Sequence, residues 1–103
     1  MGVIRSAFEN DPDMLEIVRE FASELPARIA KLESLLAAGA LAELQTLAHQ
    51  LKGAGGGYGF PQITDLAASL ESALKQGLDV PVVKDRANSL CALLRSVIVP
   101  EAS

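Results

Sequence analysis

The sequence predicts an all-α fold, an antiparallel up-down four-helix bundle forming one domain over residues 1–103. Three observations carry that prediction. Apolar residues recur at alternating steps of three and four along four successive stretches, which is the spacing of one helix face. The breaks between these stretches are short and carry Gly or Pro, so consecutive helices should lie antiparallel. Half of the 103 residues are hydrophobic while Trp is absent and only 4% are aromatic, a composition suited to an aliphatic helical core in a single domain.

The first helix opens at Asp11, a side-chain cap, followed by Pro12 at the first helical position. Its stripe is Leu15, Val18, Ala22, Leu25, Ile29, Leu32 and Leu36, and Gly39 ends it. Pro26 lies inside and should kink or split the helix; the stripe stays in phase across it, which favours the kink. A second helix covers about 40–57, with Gly59 and Pro61 marking the turn. In the third, Ile63, Leu66, Ala67, Leu70 and Leu74 form the stripe, and Gly77 ends it. The fourth uses Val83, Ala87, Leu90, Leu94 and Val97 as its stripe, and Pro100 closes it. About ten N-terminal residues are expected to fray.

Thirteen acidic residues against nine basic ones give a net charge of −4, which argues against a nucleic-acid partner. No apolar run reaches the ~18 residues of a membrane span and no signal-peptide pattern opens the chain, so a cytoplasmic protein is expected. The one cysteine, Cys91, has no internal disulfide partner and reads as helix packing within "NSLCALL".

The informative stretch is "AHQLKGAGGGYGF", residues 48–60, which holds the only histidine. At ~100° per residue, Leu44, Leu47, Ala48, Leu51, Gly55 and Tyr58 cluster toward the core, while Gln45, His49, Lys52, Gly53 and Gly56 share a second face. Each glycine in a helix costs ~1 kcal/mol relative to alanine. Gly55 lies on the core side, where a neighbouring helix could approach closely. Gly53 and Gly56 flank the histidine and leave its surroundings bare, as approach by another macromolecule requires. The competing reading is that 53–59 is a flexible loop.

The turn at Phe60 adds one more candidate. His49 lies 11 residues before it and Glu71 lies 11 after it, so a rise of ~1.5 Å per residue sets both at the same height of the hairpin. Glu71 flanks the third helix's stripe at about 80° from Ile63. A carboxylate there that accepts the Nδ1 proton would fix the imidazole tautomer and leave Nε2 as the nucleophile.

The motif of His49, Lys52, Gly53, Gly56 and Gly59 resembles the signature of histidine-containing phosphotransfer (HPt) domains. "LAASLE" resembles that family's next helix, and "DPDMLEIVREFASELPARIAKLESLLAAG" its first. The resemblance implies a four-helix bundle whose His49 carries a phosphoryl group between response-regulator receiver domains, or from a histidine kinase or hybrid kinase to a receiver. Three functions stay open: a phosphorelay intermediate, the phosphotransfer domain of a chemotaxis-type kinase fed by an ATP-binding domain, and a non-phosphorylated receiver-binding adaptor. In the chemotaxis-kinase branch a glutamate at the position of Glu71 orients the imidazole.

The residues suit that chemistry. A neutral imidazole attacks an acyl phosphate without a separate base, and Lys52 lies one turn along the same face, where its ammonium can meet phosphoryl oxygens. The receiver should dock on Gln45, His49, Lys52, Gly53 and Gly56, with Arg28 or Lys31 supplying a basic rim contact. No acidic cluster is evident for Mg²⁺, so the receiver should bring it and this chain should carry no cofactor of its own. A phosphate-binding Gly-x-x-x-x-Gly-Lys-Ser/Thr loop, a zinc set and the Glu-x-x-His pairs of di-iron bundles are all missing. The expectation is a monomeric phosphohistidine carrier without ATP hydrolysis or kinase activity.

Overall fold

A computed structural model of the chain describes residues 3–99. It contains α1 (Pro12–Ala38), α2 (Leu41–Gly57), α3 (Pro61–Lys75) and α4 (Val80–Arg95). The Asp11 carboxylate accepts the Asp13 N–H at 2.9 Å with Pro12 at the first helical position. At the other end Gly39 adopts φ +68°, the left-handed conformation that lets two α1 carbonyls be capped and the chain reverse. Gly77 turns the chain after α3 in the same way, at φ +64°.

Each helix packs on its two ring neighbours, α1 on α2, α2 on α3, α3 on α4 and α4 on α1. With connections this short, the arrangement is the expected antiparallel four-helix bundle. Its long axis of 45 Å matches α1, whose 27 residues span about 40 Å at ~1.5 Å each. α1 runs unbroken through Pro26, so the proline does not split it. The core is aliphatic as composition implied, with Leu32, Leu44, Leu51, Ile63, Leu70 and Leu90 fully buried. Cys91 is buried in it, where desolvation and the charge of Glu33 push its thiol pKa up against the opposing effect of Arg95. The few aromatics gather at one end: Phe21 stacks on Tyr58 at 4.5 Å and lies tilted against Phe60 at 5.9 Å.

Three details differ from the sequence reading. In α1 the buried positions are Val18, Phe21, Leu25, Ile29, Leu32 and Leu35, while Leu15, Ala22 and Leu36 lie at the half-buried edge. The helix packs against both α2 and α4, so its apolar face is wider than the single stripe. The fourth helix stops at Arg95, short of Val97, because the backbone leaves it to pair with the N-terminal segment. The Ile4 N–H donates to the Ser96 carbonyl and the Ile98 N–H to the Ile4 carbonyl, both at 3.0 Å, giving a parallel bridge between Ile4 and Val97. Pro100, expected to close that helix, lies outside the described residues.

The third correction concerns the N-terminal segment expected to fray over about 1–10. From Ile4 on it is pinned to the bundle, and only residues 1 and 2 lie outside the described residues. The Ser6 hydroxyl donates to the Tyr58 carbonyl at 2.6 Å and the Ala7 N–H to the Gly59 carbonyl at 2.8 Å. Gly59 makes this possible, since a Cβ there would fall 2.5 Å from Ser6 Oγ and 2.8 Å from the Ala7 nitrogen. The segment thus closes over the α2–α3 turn.

Candidate functional site

The glycine run is helical: α2 continues through Gly57, which excludes a flexible loop over 53–57. Gly55 explains how the site is assembled. A Cβ at this position would lie 2.7 Å from both the backbone nitrogen and the hydroxyl of Thr64, so only glycine lets α3 come this close. The approach brings the Thr64 hydroxyl to the Lys52 carbonyl, to which it donates at 2.7 Å. This side-chain bond ties α3 to α2 beside the histidine.

Farther up the same seam, Glu71 of α3 meets α2. Its residue is only 4% exposed, and both carboxylate oxygens are engaged. Oε2 lies 2.7 Å from His49 Nδ1, and Oε1 accepts from Lys52 Nζ at 2.7 Å. A second ammonium, Lys75 one turn along α3, stands 3.7 Å from Oε2. The Lys52 hydrogen bond holds the Glu71 carboxyl below the ordinary carboxylate pKa; burial opposes the shift, and the His49 bond with the Lys52 and Lys75 charges reinforces it. Glu71 is therefore an acceptor only at neutral pH. Nδ1 of a neutral His49 must then carry the proton and donate it to Oε2, which leaves the lone pair on Nε2.

The imidazole is anchored at one nitrogen and open elsewhere, its side chain 66% exposed. It borders a shallow depression of about 410 Å³ lined by Ala42, Gln45, Thr46, His49, Glu71 and Lys75. Gly53 and Gly56 continue the exposed surface along α2. A Cβ at Gly53 would meet nothing within 4 Å, and one at Gly56 would make only an ordinary 3.6 Å contact with Thr64 Oγ1. Neither glycine is required by packing within the chain.

Of the residues singled out in the sequence, the structure joins His49, Lys52 and Glu71 in one hydrogen-bonded group and sets Gln45 beside it. Arg28 is engaged elsewhere: it pairs with Glu24 at 3.0 Å and lies over the Phe21 ring, 5.4 Å from its centroid. Lys31 lines a different depression, with Glu43, Thr46, Leu47 and Gln50. The basic neighbour that sequence reasoning missed is Lys75. Its signal was present, because it is four residues beyond Glu71 and so shares its helix face. Thr64 was missed as well; its role depends on the close approach at Gly55. Among the described residues no group of three or more His, Cys, Asp or Glu could hold a metal ion, and no helix is long and apolar enough to cross a membrane.

No curated protein and no solved structure matches the chain significantly. Residues 16–98, spanning almost all of the bundle and the whole of the His49 site, match the family model of the Hpt domain, and the chain belongs to that family of phosphotransfer domains of two-component signalling.

Proposed function

We propose that the chain is a phosphorelay intermediate, accepting a phosphoryl group on Nε2 of His49 and passing it to or from an aspartate of a response-regulator receiver domain. The observation that carries this reading is the asymmetry of the imidazole: Nδ1 is bound to a buried carboxylate while the ring stands open to an incoming partner. In the forward step the Nε2 lone pair attacks phosphorus and the P–O bond to the receiver's aspartate breaks, releasing that aspartate as a carboxylate. The ring becomes cationic, and Glu71 holds the Nδ1 proton in place. The return step reverses this, with neutral imidazole as the leaving group.

Lys52 meets the phosphoryl oxygens, and Gln45, Gly53 and Gly56 form the surface on which the receiver seats. Mg²⁺ supplied by the receiver would neutralise the phosphoryl oxygens during transfer. Arg28, engaged by Glu24 and Phe21, is a weaker candidate for the rim than Lys75.

A second reading, the phosphotransfer domain of a chemotaxis-type kinase, is favoured by one specific contact, the His49–Glu71 bond, because that branch carries a glutamate in the matching place. Incubating the chain with phosphorylated receivers, and separately with histidine kinases and ATP, distinguishes the two. Rapid phosphorylation from receivers supports the relay. Phosphorylation from a kinase alone supports the second reading, and none from either leaves only a receiver-binding adaptor.

A further inference from the structure

We propose that Lys75 is a positioning residue that takes over Glu71 when Lys52 turns from it to the phosphoryl group on His49. The inference rests on the phosphoryl-acceptor reading of His49 and says how the site adapts to its cargo. In the structure Lys52 does not wait for a phosphoryl group; its ammonium is committed to Glu71 Oε1 at 2.7 Å. A phosphoryl group on Nε2 brings about two negative charges to the face that Lys52 shares, and an ammonium on a four-carbon stem is drawn toward it.

That movement has a consequence for Glu71. Its side chain is only 5% exposed, and a buried carboxylate that loses one of its donors is strongly disfavoured. Lys52 is thereby held back unless a second cation replaces it. Lys75 is the group placed to do so: it stands on the same helix face one turn away, its side chain is 57% exposed, and its Nζ is 3.7 Å from Oε2. Closing by about an ångström would bring it to hydrogen-bond distance of Oε2, the oxygen that also accepts from His49, so that the carboxylate keeps an ammonium partner after Lys52 leaves Oε1. Two ammonium groups thus share one carboxylate, one bound and one in reserve. No proton moves in the exchange: His49 Nδ1 keeps its proton and goes on donating it to Glu71 Oε2, so only ion-pair partners change.

Phosphoramidate tests the handover, because this small donor phosphorylates histidine with loss of ammonia and needs no docking surface. The wild-type chain, Lys75→Met and Lys75→Arg are each treated with it. Phosphohistidine formation is followed by ³¹P NMR, and the Lys52 and Lys75 side chains by their ¹³Cε and ¹⁵Nζ shifts. In the wild type both lysines should shift on phosphorylation. In Lys75→Met the rate should fall about two- to fivefold, the scale of one partly exposed charge pair, and the Lys52 response should shrink. Lys75→Arg should restore both. An unchanged rate and an unchanged Lys52 response in Lys75→Met would overturn the handover alone. So would slowing seen only with a phosphorylated receiver as donor, which would assign Lys75 to docking. A wild-type chain that forms no phosphohistidine would overturn the proposed function and the handover with it.

Discussion

His49 Nδ1 and Glu71 Oε2 lie 2.7 Å apart across the α2–α3 seam, joining an exposed imidazole to a buried carboxylate. The bond divides the ring into a proton-bearing nitrogen and a nucleophilic one. Glu71→Gln keeps the shape but weakens the acceptor and can present an N–H to the ring instead. The ¹⁵N shifts of His49 should then lose their preference for the Nδ1–H tautomer, and phosphorylation should slow by about tenfold, as for other lost partners that orient an imidazole. Unchanged ring shifts would show that Glu71 does not select the tautomer.

The same carboxylate sets an acid dependence. Its pKa is lowered in the fold, chiefly by Lys52, so it binds a proton less readily folded than unfolded. Its contribution to stability is complete above the ordinary carboxylate range of about 4.3 and is lost as pH falls through the lower folded value. Thermal melts of wild type and Glu71→Gln should differ most at neutral pH and converge as the medium becomes strongly acidic. A gap that widens on acidification would contradict this sign.

Two glycines of one run should respond in opposite directions. Gly53 opens to solvent, with nothing within 4 Å of an added Cβ, so Gly53→Gln should stabilise α2 by roughly 0.5–1 kcal/mol while blocking transfer from a receiver. Gly55→Ala forces a methyl group against the Thr64 backbone at 2.7 Å and should destabilise by about 1–3 kcal/mol. Melting curves and transfer rates of the two variants separate packing from docking. Undiminished transfer in Gly53→Gln would remove the steric argument for that position.

Receiver binding should perturb amide signals around Gln45, His49, Lys52, Gly53 and Gly56, and should reach Lys75 on α3. Shift mapping with an unphosphorylated receiver checks this. Perturbations concentrated on α4, on the far side of the bundle's ring from α2, would place the docking face elsewhere.

Ser6 closes the N-terminal segment over the α2–α3 turn, donating to the Tyr58 carbonyl and accepting from the Phe8 N–H. Ser6→Ala should cost about 1 kcal/mol or somewhat more, lower Tm by roughly 4–8 °C for a domain of this size, and speed amide exchange at Ala7. Exchange at Ala7 as fast in the wild type as in an unfolded chain would mean that the segment is not held.

Much of this arrangement was legible in the sequence because it follows from helical geometry alone. Counting from Phe60 set His49 and Glu71 at one height, and the 100° wheel separated the packing glycine, Gly55, from the open one, Gly53. What stayed hidden depends on contacts distant in the chain. The burial of Glu71 follows from how closely α3 approaches at Gly55, and only that burial makes a second cation at Lys75 matter. The early end of α4 comes from the pairing of Ile4 with Val97, and Ser6 is held by the Tyr58 carbonyl across the close approach at Gly59; no local pattern announces either. The burial of Phe21 and Leu35 reflects an α1 that faces two neighbours, whereas a single stripe describes packing against one.

If Nε2 of His49 alone carries the phosphoryl group, ¹⁵N-resolved NMR of the chain after incubation with a phosphorylated receiver will show it. One acid-labile phosphoryl group should appear on Nε2 of His49, with Nδ1 still protonated toward Glu71, and His49→Gln should remain folded and take up none. Acid-labile phosphate on His49→Gln, or a phosphoryl group on Nδ1 of the wild type, would contradict the account.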